Sequence, residues 1–388
     1  MTVDGSSTSA PDSPAVTPAA ALPRGLILVL GITGLLITTL ALQQFASILA
    51  PVLLALVMVI GVHPLTGILR RRGAPQWLAV AVTLLTLAVI IIGLAAMFAV
   101  SIARLGTLLP TYQGRFATLI TNAQAWLAGL GVGPEQLQEL LGHVSFGQIA
   151  GLVSSLVIGV AGTFSNLVFL LFVVVFMGLD AAHFSRRLAE AGGQRTAVVT
   201  ALGGFVAGTR SYLLVSTVFG LIVAAIDGVF LWAVGVPLAL LWGLLAFVTN
   251  YIPNVGFVIG LAPPALLALL EGGPQLMLIV IVVYIVINFV IQSVIQPKYV
   301  GEAVDLSLTL TFLSLTFWSF VIGPLGAVLA IPLTLLVKAL LLDVDPNTRW
   351  ISGLLASKPR RPDRPGAAES AAPVGNDPGP APAHHSSA

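Results

Sequence analysis

Residues 275–295 read QLMLIVIVVYIVINFVIQSVI, an uncharged run whose length decides the fold class. Within residues 282–295 the polar side chains are Tyr284, Asn288, Gln292 and Ser293. A helix of about 20 apolar residues crosses the ~30 Å hydrocarbon core of a bilayer. Because backbone polar groups inside lipid must bond to one another, this run is predicted to be a transmembrane helix.

Comparable apolar runs recur between Leu26 and Leu342, and they predict an all-α, polytopic transmembrane bundle with about eight spans. Hydrophobic residues make up 57% of the chain and charged residues 8%, whereas a soluble domain carries about 25% charge. The predicted spans are residues 26–45, 48–68, 77–104, 152–179, 212–234, 237–270, 275–295 and 307–340. These spans form one transmembrane domain at 24–357. The tails at 1–23 and 358–388 are rich in small residues and proline and are predicted to be disordered.

The composition argues against several classes of function. The chain has no cysteine, which excludes disulfides, thiolate metal sites and cysteine nucleophiles. No metal or cofactor site is expected, because no metal-binding spacing occurs among His63, His143, His183, His384 and His385. A phosphate-binding Gly-x-x-x-x-Gly-Lys-[Ser/Thr] loop is absent, and the net charge of +2 indicates no nucleic-acid partner. The sequence therefore predicts no enzyme, because for an intramembrane enzyme it lacks cysteine, a His-Glu-x-x-His motif and a convincing Ser–His pair.

The positions of the basic residues predict the orientation. Of the 17 Lys and Arg residues, all but Arg104, Arg115 and Lys298 fall on one face of the predicted bundle. Basic residues accumulate on the cytoplasmic side of membrane proteins. We therefore expect a multi-pass protein of the bacterial inner membrane with both termini cytoplasmic.

Two connections between spans are long and carry amphipathic patterns. Residues 105–151 contain a helix start at Gly133-Pro134-Glu135, and the apolar positions that follow are Leu137, Leu140, Leu141 and Val144. Residues 180–211 carry a second stripe, formed by Val198, Leu202, Phe205 and Val206. Each pattern favours a helix that lies on the membrane surface or packs on the bundle. The alternative for both is a moving gate or an oligomer contact.

The runs 237–270 and 307–340 are too long for one straight crossing, and proline and glycine interrupt each of them. The interruptions are Asn250-Tyr251-Ile252-Pro253-Asn254-Val255-Gly256 with Pro263-Pro264, and Gly323-Pro324-Leu325-Gly326 with Pro332. Paired broken helices are typical of transporter binding sites, although two kinked helices without a ligand would show the same pattern. Each run could instead be a re-entrant hairpin; if both are, the termini stay inside, Glu271 moves outside and Lys298 moves inside.

Polar residues near membrane depth form a second group of candidates. Tyr284, Asn288, Gln292 and Gln296 recur every four residues and share one helix face, which should contact protein or a watery path. Interhelical hydrogen bonding alone would explain that stripe equally well. Among the acidic residues, Asp227 is the one that lies deep within a predicted span. It could couple transport to an ion, or its carboxylate could simply reach the membrane interface. Lys298, Glu302 and Asp305 are further coupling candidates that could form a Lys–acid pair.

The C-terminal half resembles the autoinducer-2 exporter-like family of bacterial membrane proteins. The resemblance rests on 250–256 with Pro263-Pro264, on Ile287-Asn288, on Pro297 followed by Gly301, on 314–326 and on 330–334. It covers residues 237–340 by motif and 24–357 by architecture. It implies a secondary transporter of about eight spans that forms homo-oligomers. Members of this family are associated with export of autoinducer-2, with sodium or proton exchange, or with other solutes.

The leading hypothesis is a secondary transporter of a small polar solute, such as a quorum-sensing signal, with the lipid bilayer and a second copy of the chain as partners. The residues expected to line the substrate path are Asn250, Tyr251, Pro253, Asn254, Gly256, Asn288, Gln292, Gly323, Pro324 and Gly326. A second hypothesis is a monovalent cation/proton antiporter that uses Asp227 or the pair Glu302 and Asp305. A third is a structural membrane protein, which would not need the interrupted helices.

Overall fold

A computed structural model describes residues 23–131, 133, 136, 145–148, 150–151, 154–155, 167–181, 196–253, 255–296 and 306–344. Residues 1–22 of the first predicted tail and all of the second lie outside these residues, as do the stripe at 137–144, Asn254 and the acidic and basic candidates Lys298, Glu302 and Asp305. All further statements concern the described residues.

The described elements are helices. The first half contains α1 (Arg24–Gln44), α2 (Ala46–Arg71), α3 (Gln76–Leu108), a 3₁₀ turn (Leu109–Tyr112), α4 (Gln113–Gly129) and α5 (Leu167–Ala181). The second half contains α6 (Thr196–Ala233), α7 (Ala239–Thr249), α8 (Gly256–Asn288), α9 (Leu308–Ile322) and α10 (Pro324–Lys338). Seven π-helical residues (Phe289–Ile295) continue α8, and five more (Ala339–Asp343) continue α10.

Within the described residues, 6 helices are long and apolar enough to cross a membrane, and α5, α7 and α9 are shorter apolar helices. No strand occurs in that part of the chain. Large aliphatic and aromatic side chains cover the outside of the bundle, as a lipid-facing surface requires. The predicted fold class, a polytopic helical bundle, is therefore confirmed, with interruptions inside both long apolar runs.

The helix α6 differs from the sequence expectation. Residues 196–211 do not form a separate amphipathic helix; they are the first turns of a continuous helix that runs to Ala233. Phe205 of the predicted stripe is buried against Ile60 of α2 and Ala339, whereas Val206 is exposed. Nothing between residues 196 and 233 breaks the helix, because this segment has no proline and its glycines keep helical geometry.

Each long apolar run folds back on itself as an antiparallel hairpin. In the first hairpin, Leu241 and Trp242 at the start of α7 share a core with Leu267 and Ala268, which lie far along α8. In the second hairpin, the indole nitrogen of Trp318 on α9 donates to the hydroxyl of Thr334 on α10 at 3.1 Å. Both hairpins therefore return to the face from which they start, which selects the re-entrant alternative.

The first hairpin ends at a sharp bend inside α8. Gly273 has φ 73° and ψ −169°, a conformation that favours glycine, and Pro274 follows it. The bend separates the returning arm, residues 256–272, from a second arm that begins at Pro274 and carries Tyr284 and Asn288. Glu271 consequently lies at the end of the hairpin, where it accepts hydrogen bonds from Tyr112 and Arg115. The side chain of Glu271 is thus on the same face as Arg115, as the re-entrant arrangement requires.

Two ends of the bundle can be told apart by their packing. At one end, which we name the basic face, α2 finishes at Arg70, Arg71 and Arg72. At the opposite face the end of α3 packs with Tyr112, with the end of α6 at Leu231 and with the base of the first hairpin. The first hairpin therefore enters from the opposite face, and the chain continues through the second arm of α8 toward the basic face.

The first helix stands apart from the bundle. In its most hydrophobic window no residue of α1 is buried, and the hydroxyls of Thr38 and Thr39 donate to carbonyls of their own helix. A link to the second hairpin is the hydrogen bond from Gln43 Nε2 to the carbonyl oxygen of Phe320 at 3.0 Å. Such a helix suits contact with lipid, and homo-oligomer formation stays a prediction.

The orientation is testable with reporter fusions at residue 388 and after Gly129. We expect a cytoplasmic reporter to be active only at residue 388 and a periplasmic reporter only after Gly129, because most basic residues lie on the side of the termini. Enzymatic activity of paired alkaline phosphatase and green fluorescent protein fusions in bacteria gives the readout. Activity of both positions in the same compartment would contradict the assignment.

Candidate functional site

The tip of the first hairpin is possible because glycine allows its two arms to meet. The helix α7 ends at Thr249, and α8 begins at Gly256. A Cβ at Gly256 would overlap the carbonyl oxygen of Thr249, and a Cβ at Gly260 would lie 2.9 Å from the Thr249 hydroxyl. The turn between the arms holds the predicted path residues Asn250, Tyr251 and Pro253.

Hydrogen bonds fix this tip against the middle of α6. The Asn250 amide nitrogen donates to the carbonyl oxygen of Ser216 at 2.9 Å, and the Tyr212 hydroxyl donates to the carbonyl oxygen of Tyr251 at 2.6 Å. The hydroxyls of Tyr251 and Thr217 also lie 2.6 Å apart. The bond from Tyr212 satisfies a backbone carbonyl of the interrupted helix, as non-helical backbone at membrane depth requires.

A row of small residues brings α6 close to the first hairpin. Gly220, Ala224 and Gly228 follow one another at four-residue spacing on α6. A Cβ at Gly220 would lie 3.0 Å from the Asn250 amide, and a Cβ at Gly243 of α7 would lie 2.9 Å from the carbonyl oxygen of Ala224. Small residues let membrane helices approach closely. This small-xxx-small signal was present in the sequence but was not used in the sequence analysis.

The second tip is built from Gly323, Pro324 and Gly326. Gly323 has φ 72° and ψ −153°, and Pro324 occupies the first position of α10, where its missing N–H costs nothing. A Cβ at Gly326 would overlap the carbonyl oxygen of Trp318. Glycine at these positions therefore allows α9 and α10 to diverge from one tight turn.

The two tips meet inside the bundle. Ile252 and Val255 of the first tip pack on the apolar cluster formed by Trp318, Val321, Ile322 and residues of α2 and α10. The sequence predicted the two interruptions, and the structure brings them together although they are about 70 residues apart in the chain. The end of α10 packs on the first turns of α6, whereas the base of the first hairpin packs on the last turns of α6. The two hairpins therefore enter from opposite faces and share one contact region.

A small polar cavity lies beside the first tip, with room for about one water molecule. The polar residues that line it are Asp227, Thr249, Asn250, Tyr284, Asn288 and Gln292. Three members of the predicted polar stripe thus face the cavity together with Asp227 and Asn250. The fourth member, Gln296, does not line it. Thr249 could not be predicted as a lining residue, because it carries no motif of its own.

The amides in the cavity are linked into one network. Gln292 Nε2 donates to Asn288 Oδ1 at 2.9 Å and to Asn250 Oδ1 at 3.4 Å. Asn288 Nδ2 donates to the carbonyl oxygen of Tyr284 in its own helix at 2.9 Å. Gln292 therefore connects the second arm of α8 to the tip of the first hairpin, and a movement of the tip would change this network.

Asp227 is the acid of the cavity, and 0% of its surface is exposed. Neither carboxylate oxygen of Asp227 has a hydrogen-bond partner among the described residues, and the hydroxyl of Tyr284 has none there either. An ionised carboxylate in such a site costs several kcal/mol unless a partner compensates its charge. A proton or a small cation bound at Asp227 would remove this cost. No group of three or more His, Asp or Glu residues suited to a metal ion occurs in the part of the chain described here.

Comparison with known proteins agrees with this architecture. The profile of the family described as "AI-2E family transporter" matches residues 26–344. The chain is 28% identical over 315 residues to the AI-2 transport protein TqsA of Escherichia coli (strain K12), which covers 81% of this chain and 91% of TqsA. It is 27% identical over 316 residues to the putative transport protein YhhT of the same organism, with 81% and 90% coverage.

A mycobacterial relative shows similar coverage. The putative transport protein MT0215 of Mycobacterium tuberculosis (strain CDC 1551 / Oshkosh) is 29% identical over 305 residues, which are 75% of this chain and 81% of that protein. The family profile covers both hairpins and the polar cavity within one continuous match. The chain therefore belongs to the AI-2E family of transporters and is a multi-pass bacterial membrane transporter.

Proposed function

We propose that the chain is a secondary transporter that moves a small polar solute between the two hairpin tips. The observation that carries this proposal is the meeting of two interrupted hairpins, from opposite faces, beside a buried polar cavity. Interrupted helices in two parts of a chain are typical of the substrate sites of secondary transporters. A passive structural bundle would gain nothing from such breaks, which leave backbone groups to be satisfied.

The chemistry of the tips favours an uncharged solute with several hydrogen-bonding groups. Asn250, Asn288 and Gln292 offer neutral amide donors and acceptors, and Tyr251 adds a hydroxyl nearby. The remaining path residues Pro253, Gly256, Gly323, Pro324 and Gly326 shape the backbone of the tips rather than bind. A quorum-sensing signal such as autoinducer-2 fits this class, and one relative is named an AI-2 transport protein.

The size of the cavity implies that the tips separate during transport. The cavity beside the first tip holds about one water molecule, which is too little for an organic solute. The apolar contacts of Ile252 and Val255 with the second tip close the region between the hairpins. In this proposal, transport alternates between the closed arrangement and one in which a tip moves away from the other and from α6.

A second candidate is exchange of a monovalent cation and protons, and the buried Asp227 specifically favours it. Around this carboxylate the cavity offers oxygen atoms of Thr249, Tyr284 and Asn288. Oxygen ligands suit hard cations, and the small volume suits one dehydrated ion. Asp227 would then either couple an ion gradient to solute movement or carry the exchanged ion itself. Glu302, Asp305 and Lys298 remain further proposals for coupling.

Flux assays in proteoliposomes separate these functions. We expect Gln292→Ala to lower solute flux by about tenfold, because it removes a hydrogen-bonding amide that joins the tip to α8. The matched control is Gln275→Ala, on the same helix but exposed, which should transport as the wild type does. The measurement is uptake of labelled small polar solutes, including autoinducer-2, with and without imposed pH or sodium gradients.

The outcomes distinguish the two candidates. The solute path would be supported if Gln292→Ala impairs solute uptake and Gln275→Ala does not. Cation–proton exchange without flux of any solute in the panel would instead favour the second candidate. Equal solute flux in the wild type and Gln292→Ala would show that the amide network is not part of the path.

A further inference from the structure

A second cavity lies near the basic face, between α2, α3 and α5. Its volume is about 180 Å³, and it shares no lining residue with the polar cavity beside Asp227. Its walls come from a face of α2 that points away from the hairpin tips: Gly67 and Arg70 line the cavity, whereas Ala50 and Val57 pack on the second hairpin. The proposed transport path therefore does not include this cavity.

The polar residues of this cavity suit an anion. Arg70 and His63 line it, and no acidic residue is among the described residues in its wall. Gln76 adds an amide and Thr66 a hydroxyl, the latter 2.9 Å from the Thr83 hydroxyl. Arginine is the side chain that best matches phosphate oxygens, since its guanidinium donates several hydrogen bonds in one plane.

The position of the cavity corresponds to the head-group level of a bilayer. Trp77 follows the lining residue Gln76 and is 72% exposed, and tryptophan is enriched where membrane and water meet. Arg71 and Arg72, which directly follow the lining residue Arg70, are exposed at the end of α2. The cavity therefore opens between a polar rim and the apolar surface of the bundle.

The other walls are apolar. Val62, Val80 and Leu84 line the cavity. A free anion would gain nothing from these walls, whereas an acyl chain attached to the anion would cover them. The volume is also smaller than the ~300–1,000 Å³ of pockets that enclose a whole drug-sized ligand, so it suits one part of a larger molecule.

We propose that this cavity binds the phosphate head group of an anionic phospholipid, with Arg70 as the principal contact and the acyl chains along α2 and α3. Basic pockets between transmembrane helices bind such head groups in other membrane proteins. A lipid seated here joins α2, α3 and α5 at the basic face, and it stabilises the folded protein because it binds the native arrangement of these helices.

Lipid titration of the purified full-length protein in detergent tests this site. We expect phosphatidylglycerol to raise the midpoint of thermal unfolding, and phosphatidylcholine and inorganic phosphate at the same concentration to have little effect. For Arg70→Gln the same rise should need about tenfold more phosphatidylglycerol, since one charge-assisted hydrogen bond is lost. Arg72→Gln removes the same charge outside the cavity and should respond as the wild type does.

A filled cavity provides an independent variant that leaves the charge in place. A Cβ at Gly67 would meet no atom within 4 Å, so Gly67→Leu extends into open space and should block the head group while improving helix propensity. Gly93→Leu, also in open space but away from the cavity, is its control. We expect Gly67→Leu to lose the response to phosphatidylglycerol and Gly93→Leu to keep it.

Several results would overturn the proposal. An equal rise with phosphatidylcholine would indicate a general detergent or lipid effect, and an equal rise with inorganic phosphate would indicate a free-anion site. Wild-type responses of both Arg70→Gln and Gly67→Leu would show that the lipid acts elsewhere. If Gly67→Leu changes the oligomer mass but not the lipid response, the cavity is a contact between copies of the chain.

Discussion

Asp227→Asn should abolish gradient-driven transport while preserving downhill flux. In proteoliposomes with an imposed pH or sodium gradient, we expect solute accumulation by this variant to fall to the level reached without a gradient. Counterflow or exchange of labelled solute should continue, because asparagine keeps the size and the hydrogen-bonding groups of the side chain. The measurement is initial uptake of labelled solute at matched amounts of reconstituted protein.

The physical reason is the isolation of the carboxylate. Asp227 is fully buried, and neither of its oxygens has a hydrogen-bond partner among the described residues. A proton or small cation that enters the cavity neutralises it, and movement of the first tip can release that ion on the other side. Asparagine cannot exchange an ion in this way, so the link between the gradient and the tip should be lost.

A matched control separates this role from a general effect of charge. Asp180 is an exposed acid at the end of α5, and Asp180→Asn should leave gradient-driven accumulation unchanged. If Asp227→Asn still accumulates solute to the wild-type level under both gradients, Asp227 does not couple ions. The carboxylate would then be a structural group, and the coupling candidates Glu302 and Asp305 would come next.

Much of this architecture could be predicted from the local sequence. The breaks at 250–256 and 323–326 could be predicted because proline and glycine interrupt apolar runs that are too long for one crossing. The four-residue recurrence of Tyr284, Asn288 and Gln292 likewise indicated one helix face, and all three line the polar cavity. Periodicity and chain-breaking residues act over a few turns of helix, so they are visible in a sequence without any knowledge of packing.

The sequence could not show which of these local features meet. Asp227 and Tyr284 belong to different helices, α6 and α8, and line one cavity together with Thr249 of α7, which Gly228 and Gly243 let approach α6 closely. Glu271 contacts Tyr112 and Arg115 across more than 150 residues, because the first hairpin folds back to the face on which these two residues lie. Such pairings follow from the choice between crossing and folding back, and the charge pattern permitted both.

The amphipathic stripe at 198–206 illustrates a different limit. The same apolar periodicity arises whether a helix lies on the membrane surface or extends a transmembrane helix beyond the bilayer. At 38 residues, α6 is about 57 Å long, nearly twice the ~30 Å hydrocarbon core. Its first turns pack on α2 and on the end of α10 rather than on lipid head groups. Periodicity therefore predicted the burial of Phe205, but it wrongly included the exposed Val206 and did not identify the partner.

The second large effect is expected for Gly256→Ala at the first tip. The added Cβ would overlap the carbonyl oxygen of Thr249 and lie 2.8 Å from its carbonyl carbon, so the two arms of the hairpin must separate. Forcing one methyl group into such a packed site typically costs about 1–3 kcal/mol. Asn250 follows Thr249 directly, so its bonds to Ser216 and Gln292 should weaken when the arms move.

We therefore expect Gly256→Ala to reduce solute flux by about tenfold or more, since each 1.4 kcal/mol corresponds to a factor of ten in a population or rate. Gly93→Ala adds the same methyl group in open space and should transport normally. The readouts are flux in proteoliposomes and the thermal unfolding midpoint at equal membrane insertion. Loss of flux with a lowered midpoint would show that the close contact of the arms maintains the transport-competent tip. Wild-type flux in Gly256→Ala would instead show that transport tolerates separated arms, and the path would then have to be assigned to the second tip alone.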